Sequence, residues 1–442
     1  MTFNDSDDDE EALDKIVQYY TAILCPSIMT MLSQSMKINK AALLLERDEV
    51  DEKESRAPSL FEQRLVWDAF VARHGSREGF KRHMRMSKAS FYKLLSHLRR
   101  DLEVNVAKAN SRGGPVLPEI SLYCCLRFCA GGSYTDISFF CGISFTAFYH
   151  AIWKCVDAIN NAPGLMIHFP TTRDEVVQAA KGFSTISSQA CIWNCVAVID
   201  GYHLQIKSPS KNEVKNVRSF FSGHYQTYGV NVQAACDHNC RFLFIGVAGP
   251  GVMGDRDAIN QFWLGSLIEA LPGLFCAIGD CAYTPSEHLV PICRGDMAKM
   301  ARYDNFNFYA SQLRIRIEMA FGLMVKKWGI LTRPLYIKVK NIKRLIVAIA
   351  RLHNFCIDEQ LAGKECHNQQ QQQQQQQQGA AFTPTFTPTN VDFDSHHTFM
   401  REAAADVEYN EMRTEFECPW SMNRERMAKE IESLRLTRPK KK

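Results

Sequence analysis

The hydrophobic pattern divides the chain into stretches of different period. Between residues 61 and 161 apolar positions recur at three- and four-residue spacing, as in Phe61, Leu65 and Phe70 and again in Phe91, Leu94, Leu95 and Leu98. That is the period of amphipathic helices packed on one another, so residues 61–165 read as an all-helical module. Within it, Gly131-Gly132-Ser133-Tyr134 opens a helix, Cys141-Gly142 supplies a tight turn, and Ser144 is placed to cap a second helix starting at Phe145. The layout is that of a helix-turn-helix. Helix pairs joined by a glycine turn also occur in bundles that bind nothing, so spacing alone leaves both readings open.

Pro163 and Pro170 punctuate the chain, and residues 166–190 read as a linker. Beyond it the period turns strand-like. Residues 195–199, 228–235 and 241–248 are short β-rich runs, with Asp237-His238-Asn239 as a hairpin turn between the last two, which predicts three antiparallel strands. A helix over 256–271, a fourth strand over 274–278, an irregular stretch and a long helix over 311–328 complete the pattern. Residues 191–360 are therefore expected to form a mixed α/β sheet with covering helices.

The ends differ in character. Residues 1–60 carry Asp7, Asp8, Asp9, Glu10 and Glu11 in succession and hold no period for long, as expected of an acidic, largely disordered arm. Residues 361–442 contain an unbroken glutamine tract at 369–378 and Thr-Pro pairs at Thr383-Pro384 and Thr387-Pro388. Such a composition buries no core, which predicts a Gln-rich disordered tail with one helix near 424–434 and a basic terminus from Arg438 to Lys442.

Composition narrows the function classes. The apolar fraction of 46% permits large cores, and the sixteen cysteines are scattered through core-like segments, so reduced, buried thiols are expected rather than a disulfide framework. Cys191/Cys195 and Cys236/Cys240 lie in or beside expected strands and give only a weak zinc signal. No apolar run reaches the roughly 18 residues of a membrane-spanning helix. The acidic N-terminus also lacks the basic start of a secretory signal. A soluble, intracellular protein with no membrane partner is expected.

The net charge is only +4, yet its distribution is uneven. Arg73, Arg77, Lys81, Arg82, Arg85, Lys88, Lys93, Arg99 and Arg100 share their stretch with one acid, Glu78. Between Arg314 and Arg351 ten basic residues accompany a single acid, Glu318. Both patterns suit phosphate contacts, and the candidate DNA contacts are Ser144, Thr146, His150, Lys154, Arg314, Lys326 and Lys327.

Three carboxylates stand out as chemistry. Asp200 ends the first β-run, Asp280 ends the fourth, and Glu318 lies within the long helix. Acids directly after apolar strands are costly to bury unless paired or bound to metal. Two at neighbouring strand ends with a third on a covering helix would form an oxygen cluster for Mg²⁺ or Mn²⁺, the equipment of phosphoryl transfer on nucleic acid. Each acid also has a plain structural role open to it: Asp200-Gly201 as a turn, Asp280 as a loop acid, Glu318 as an i,i+4 partner of Arg314.

Five motifs in fixed order carry a resemblance: Val198-Ile-Asp-Gly-Tyr-His203, Tyr228-Gly-Val-Asn-Val-Gln-Ala234, Gly279-Asp-Cys-Ala-Tyr283, Arg316-Ile-Glu-Met-Ala-Phe-Gly322 with Trp328, and Leu352-His-Asn354. Together they resemble the PIF/Harbinger-type transposase-derived nucleases of the DDE superfamily, and the upstream Gly-Gly-Ser-Tyr segment resembles that family's N-terminal module. The resemblance implies an RNase H-like catalytic core, a divalent metal, DNA as substrate, and Asp200, Asp280 and Glu318 as catalytic and metal-binding acids. It also implies work in the nucleus and a Myb-like accessory protein, and a homo-oligomer is expected besides. Where that family has a Pro-Gly-x-x-His-Asp segment, this chain has Pro250-Gly-Val-Met-Gly-Asp255, followed by Arg256-Asp257. Either Asp255 or Asp257 is then open as support for the metal site, and His203 as an aid in positioning DNA or a metal-bound water. The rival expectation is a domesticated, catalytically silent DNA-binding or scaffold protein. A serine or cysteine hydrolase lacks its nucleophile elbow here.

Overall fold

The computed structural model describes residues 64–104, 115–378 and 422–439. The acidic arm and the Thr-Pro stretch lie outside the described residues. Those described fall within one compact unit, Glu62–Lys442.

Among the described residues six helices come first: α1 (Trp67–His74), α2 (Arg77–Met84), α3 (Lys88–Leu102), α4 (Pro118–Cys129), α5 (Tyr134–Cys141) and α6 (Phe145–Asn161). Helix α5 stops at Gly142, whose φ of 60° only glycine adopts without strain. Ile143 N–H then bonds back to Ser138 O at 3.0 Å. Ser144 caps α6 by accepting from Ala147 N–H at 3.2 Å, and α5 and α6 meet at 101°. A full-length apolar stripe, with Phe91, Leu94, Leu95 and Leu98 all within 1% of full burial, holds α3 against α4 and α6.

The expected linker at 166–190 instead contains helix α7 (Arg173–Ile186), started by a capping box between Thr172 and Glu175. It packs on one face of a six-stranded sheet. Strands β1 (Cys195–Gln205), β2 (Phe221–Ser222), β3 (Thr227–Cys236) and β4 (Phe242–Pro250) are antiparallel where paired. The short helices α8 (Asp255–Ile259) and α9 (Leu264–Glu269) replace the single helix expected over 256–271. Strands β5 (Cys276–Gly279) and β6 (Leu289–Pro291) then add in parallel, giving β3-β1-β5-β6 with β2 and β4 both on β3. A mixed sheet of this kind with flanking helices is compatible with an RNase H-like core.

Two apolar layers cover the sheet. On one face Val196, Ile199, Leu243 and Ala277 pack with Val176, Ala180, Leu264 and Ile268 of the α7–α9 side. On the other, Val198, Val232 and Ile278 meet Leu313, Ile317 and Met324 of α10 (Ala301–Lys327), ten residues longer at its start than its pattern suggests. Helix α11 (Val339–Gln378) follows and continues into the glutamine tract. The tail is not all extension, because α12 (Met422–Ser433) returns to α10 and buries Met427, Ala428 and Ile431. Beyond it Arg438 of the basic terminus pairs with Asp304 of α10 at 2.6 Å.

The cysteines from Cys124 to Cys356 are free, and all but Cys281 are buried. No single described helix is long and apolar enough to cross a membrane.

Candidate active site

Alternation along β1 sends Asp200 and Tyr202 to the α10 face and Gly201 and His203 to the other. Tyr202 accordingly stacks on Phe321 of α10 with ring centroids 5.1 Å apart. Because β1 and β5 run parallel in register, Val198 beside Ile278, Asp280 just past β5 lies next to Asp200 in mid-β1. Two acids 80 residues apart in the chain thus share one end of the sheet.

The carboxylate of Asp200 is mostly buried, its side chain 19% exposed. Burial pushes its pKa up to about 6, and the charges of Asp255 and Asp280 push the same way, against the Gly201 N–H bond and Arg314. Asp255, at the start of α8, is the acid that the sequence left undecided. It reaches over Gly201 so closely that a Cβ there would lie 1.9 Å from Asp255 Oδ1. Asp257, one helical position pair further on, is exposed.

What holds Asp255 is a network that the motif residues supply. Asn231 Nδ2 and Gln233 Nε2 each donate to Asp255 Oδ1 at 2.9 Å. Gln233 also donates to Asn231 Oδ1 at 2.8 Å and accepts from Tyr283 Oη at 2.7 Å. The Tyr283 phenol is buried, and burial with the nearby acids raises its pKa well above the usual. The motifs read from the sequence contain these three residues but give them no role of their own. The signal existed: Asn231 and Gln233 are the polar members of a strand otherwise reading Val230, Val232, Ala234, and a buried amide needs partners.

Glu318 stands apart. Its side chain is 50% exposed and bound to Arg314 at 2.6 Å, while Arg314 reaches Asp200 at 3.4 Å on its other side. Arg314, expected among the DNA contacts, is therefore the cation between two of the acids. Among the described residues no three His, Cys, Asp or Glu side chains form a ready metal-holding set. Lys326 and Lys327 lie at the far end of α10, roughly 12 Å along the helix from Glu318.

His203 is turned away from the acids' cation. Its Nε2 pairs with Thr227 Oγ1 at 3.0 Å, and its ring stacks on Tyr225. Of the expected contacts on α6, Thr146 and His150 are exposed, whereas Ser144 is spent on the helix cap and Lys154 donates to Glu103 O at 2.7 Å. The basic run at 314–351 also has internal duties. Arg333 donates to Gly131 O at 3.0 Å, Arg344 to Asp157 at 3.0 Å and Arg351 to Ile159 O at 3.1 Å. These bonds brace the helical module against α10 and α11. The last motif is structural: Asn354 bonds both Phe242 N–H and Phe242 O at 2.8 Å, and His353 Nε2 donates to Cys240 O at 2.9 Å.

No curated protein and no solved structure matches the chain. Residues 199–354, which carry Asp200, Asp255, Asp280 and Glu318 together with the network that holds them, match the family model of the DDE superfamily endonucleases, and that match supports a nuclease of the DDE, transposase-derived type.

Proposed function

We propose that the protein is a divalent-metal-dependent DNA endonuclease or transposase of the PIF/Harbinger kind, in which Asp200, Asp280 and Glu318 are the metal-binding acids and Asp255 assists them. The observation that carries this reading is that Asp200 on β1 and Asp280 just past its parallel neighbour β5 stand side by side, where burial first and the charges of Asp255 and Asp280 after it hold the Asp200 carboxyl up to about 6, with Arg314 as its counter-charge. Hard carboxylate oxygens in excess of local positive charge fit Mg²⁺ or Mn²⁺ and not a soft metal. Glu318, paired with Arg314 here, would join such a set only on leaving that arginine. When bound, a divalent cation supplies activation of the attacking water and charge stabilisation at the leaving oxygen.

The chain's own residues do the holding. Asn231, Gln233 and Tyr283 fix Asp255, the Gly201 N–H orients Asp200 at 2.8 Å, and the Cys281 N–H orients Asp280 at 2.6 Å. Arg314 keeps Asp200 and Glu318 apart in charge and near in space. The α5–α6 pair is read as a helix-turn-helix, its 101° crossing and three-residue turn lying within that motif's range. Thr146 and His150 are its open polar positions. A nuclear location and a Myb-like accessory protein, both resting on the resemblance, and self-association complete the proposal.

The test is nicking of a supercoiled plasmid by purified protein in Mg²⁺ or Mn²⁺. Asp200→Asn, Asp280→Asn and Glu318→Gln are each expected to abolish nicking while leaving DNA binding. Cleavage surviving all three sinks the site assignment. Binding without cleavage in the unmodified protein moves the reading to the catalytically silent scaffold.

A further inference from the structure

Beside the acids lies an aromatic surface that neither the core nor the metal chemistry uses. Strands β2 and β3 are joined by Gly223, His224, Tyr225 and Gln226, all exposed, with Gln226 at a φ of 55° closing the turn. Tyr225 is 55% exposed, yet its ring is stacked on His203 at 4.4 Å and 14°. Exposed tyrosines on hairpins are common and usually mobile. This one is backed by an imidazole with no freedom of its own. His203 is tied to Thr227 Oγ1, and its Cε1 lies where a Cβ on Gly229 or Gly251 would come within 2.3 or 3.1 Å. Two glycines and a threonine thus seat the histidine, and the histidine orients the tyrosine.

The surroundings favour a nucleic acid as what lies on it. Val252 N–H bonds Ser219 O at 3.1 Å, joining the loop before Asp255 to the connection over 206–220. That connection exposes Lys207, Lys211, Lys215 and Arg218 against one acid, Glu213, whose carboxylate already accepts from Ser210 N–H at 3.3 Å. Lys207 also lies 5.6 Å over the ring of Tyr336, itself 73% exposed. Cations that track phosphates, interleaved with open aromatic rings, are the make-up of surfaces that hold single strands by base stacking. His203 shares the face of β1 with Gly201, over which Asp255 lies, so the Tyr225 ring stacked on it stands beside that acid.

We propose that Tyr225, seated by His203, is a stacking platform for an unpaired nucleobase of the DNA substrate next to the carboxylates. This rests on the nuclease reading and adds to it a substrate form: a duplex opened at the cut site, or a frayed end, in preference to fully paired DNA. A base inside an intact stack has both faces covered and gains nothing from the ring. An unpaired base gains a partner.

The full chain is tested without divalent metal, so that no cutting intervenes, on two DNA probes of equal sequence. One carries 2-aminopurine at a single unpaired nucleotide beside a nick, and the other is fully paired. The unmodified protein and Tyr225→Phe are expected to bind the unpaired probe more tightly than the paired one and to quench its fluorescence. Tyr225→Ala is expected to lose roughly 5- to 150-fold in affinity for the unpaired probe, the range set by one base–aromatic stack, to leave 2-aminopurine bright, and to bind the paired probe as before. An alanine variant that binds and quenches like the original overturns the platform while leaving the nuclease reading intact. Failure of the unmodified protein to bind either probe overturns the nuclease reading, and the platform with it.

Discussion

The closest approach in the site gives its sharpest prediction. Gly201 has no side chain because Asp255 occupies that space: the missing Cβ would stand 1.9 Å from Asp255 Oδ1 and 2.9 Å from Gln233 Nε2. Gly201→Ala removes no acid, yet it forces the Asp255 carboxylate out of its cradle. The change breaks the bonds from Asn231 and Gln233, each of the charge-assisted class worth about 1.5–3 kcal/mol, and an expelled carboxylate recovers part of that from water. Adding the strain of an extra methyl in a packed strand, about 1–3 kcal/mol, the net loss of stability should be about 2–4 kcal/mol by chemical denaturation. Nicking should fall by about 10- to 100-fold, as when the support of a metal ligand is removed. The decisive comparison is Gly201→Ala in an Asp255→Ala background, where the carboxylate is gone and only the amide end of Gln233 has to shift, so the methyl should cost under about 1 kcal/mol. That leaves a coupling of about 1–3 kcal/mol between the two sites. Additive losses would refute the contact, and so would an alanine variant as stable and active as the original. Asp257→Ala, at an exposed position, should change neither quantity.

Asn354→Ala should cost about 2–4 kcal/mol in denaturation, because Phe242 N–H and Phe242 O both lose their partner in a buried setting. A variant within experimental error of the original would refute that account. His353 is held down to about 4 by burial, so the folded chain takes up its proton later than the unfolded chain does. Its contribution is present above pH 6.5 and is lost as pH falls from there toward 4, up to about 3 kcal/mol. Stability profiles of the original and His353→Gln should therefore converge on acidification across that window, and parallel profiles would refute it. Ile431→Ala should destabilise by about 2–5 kcal/mol because it opens a cavity where α12 meets α10. A neutral result would detach the C-terminal helix from the core.

Much of the frame was already written in local pattern. The helical period of Phe91 to Leu98, the Gly142 turn with its Ser144 cap, and the apolar strand runs that lead into Asp200 and Asp280 each depend on neighbours in the chain, which a sequence displays. Tertiary structure decided what those neighbours could not. Strand β6 has three residues, too few to show a period, and exists because it pairs with β5. The first turns of α10 mix Arg302, Asp304 and Asn305 with Phe306 and Tyr309, and their helix is completed by α12, more than a hundred residues later. Counting charges over 314–351 suggested one phosphate-binding face. The structure gives Arg314 to Asp200 and Glu318, and Arg333, Arg344 and Arg351 to groups in the helical module. That Asp255 settles over β1 while Asp257 stays exposed turned on a hydrogen atom at Gly201, because only a residue without a Cβ leaves room for a carboxylate there. Periodicity reports which side of an element is buried; it carries no information on which distant group arrives there, and the chemistry of this site is set by those arrivals.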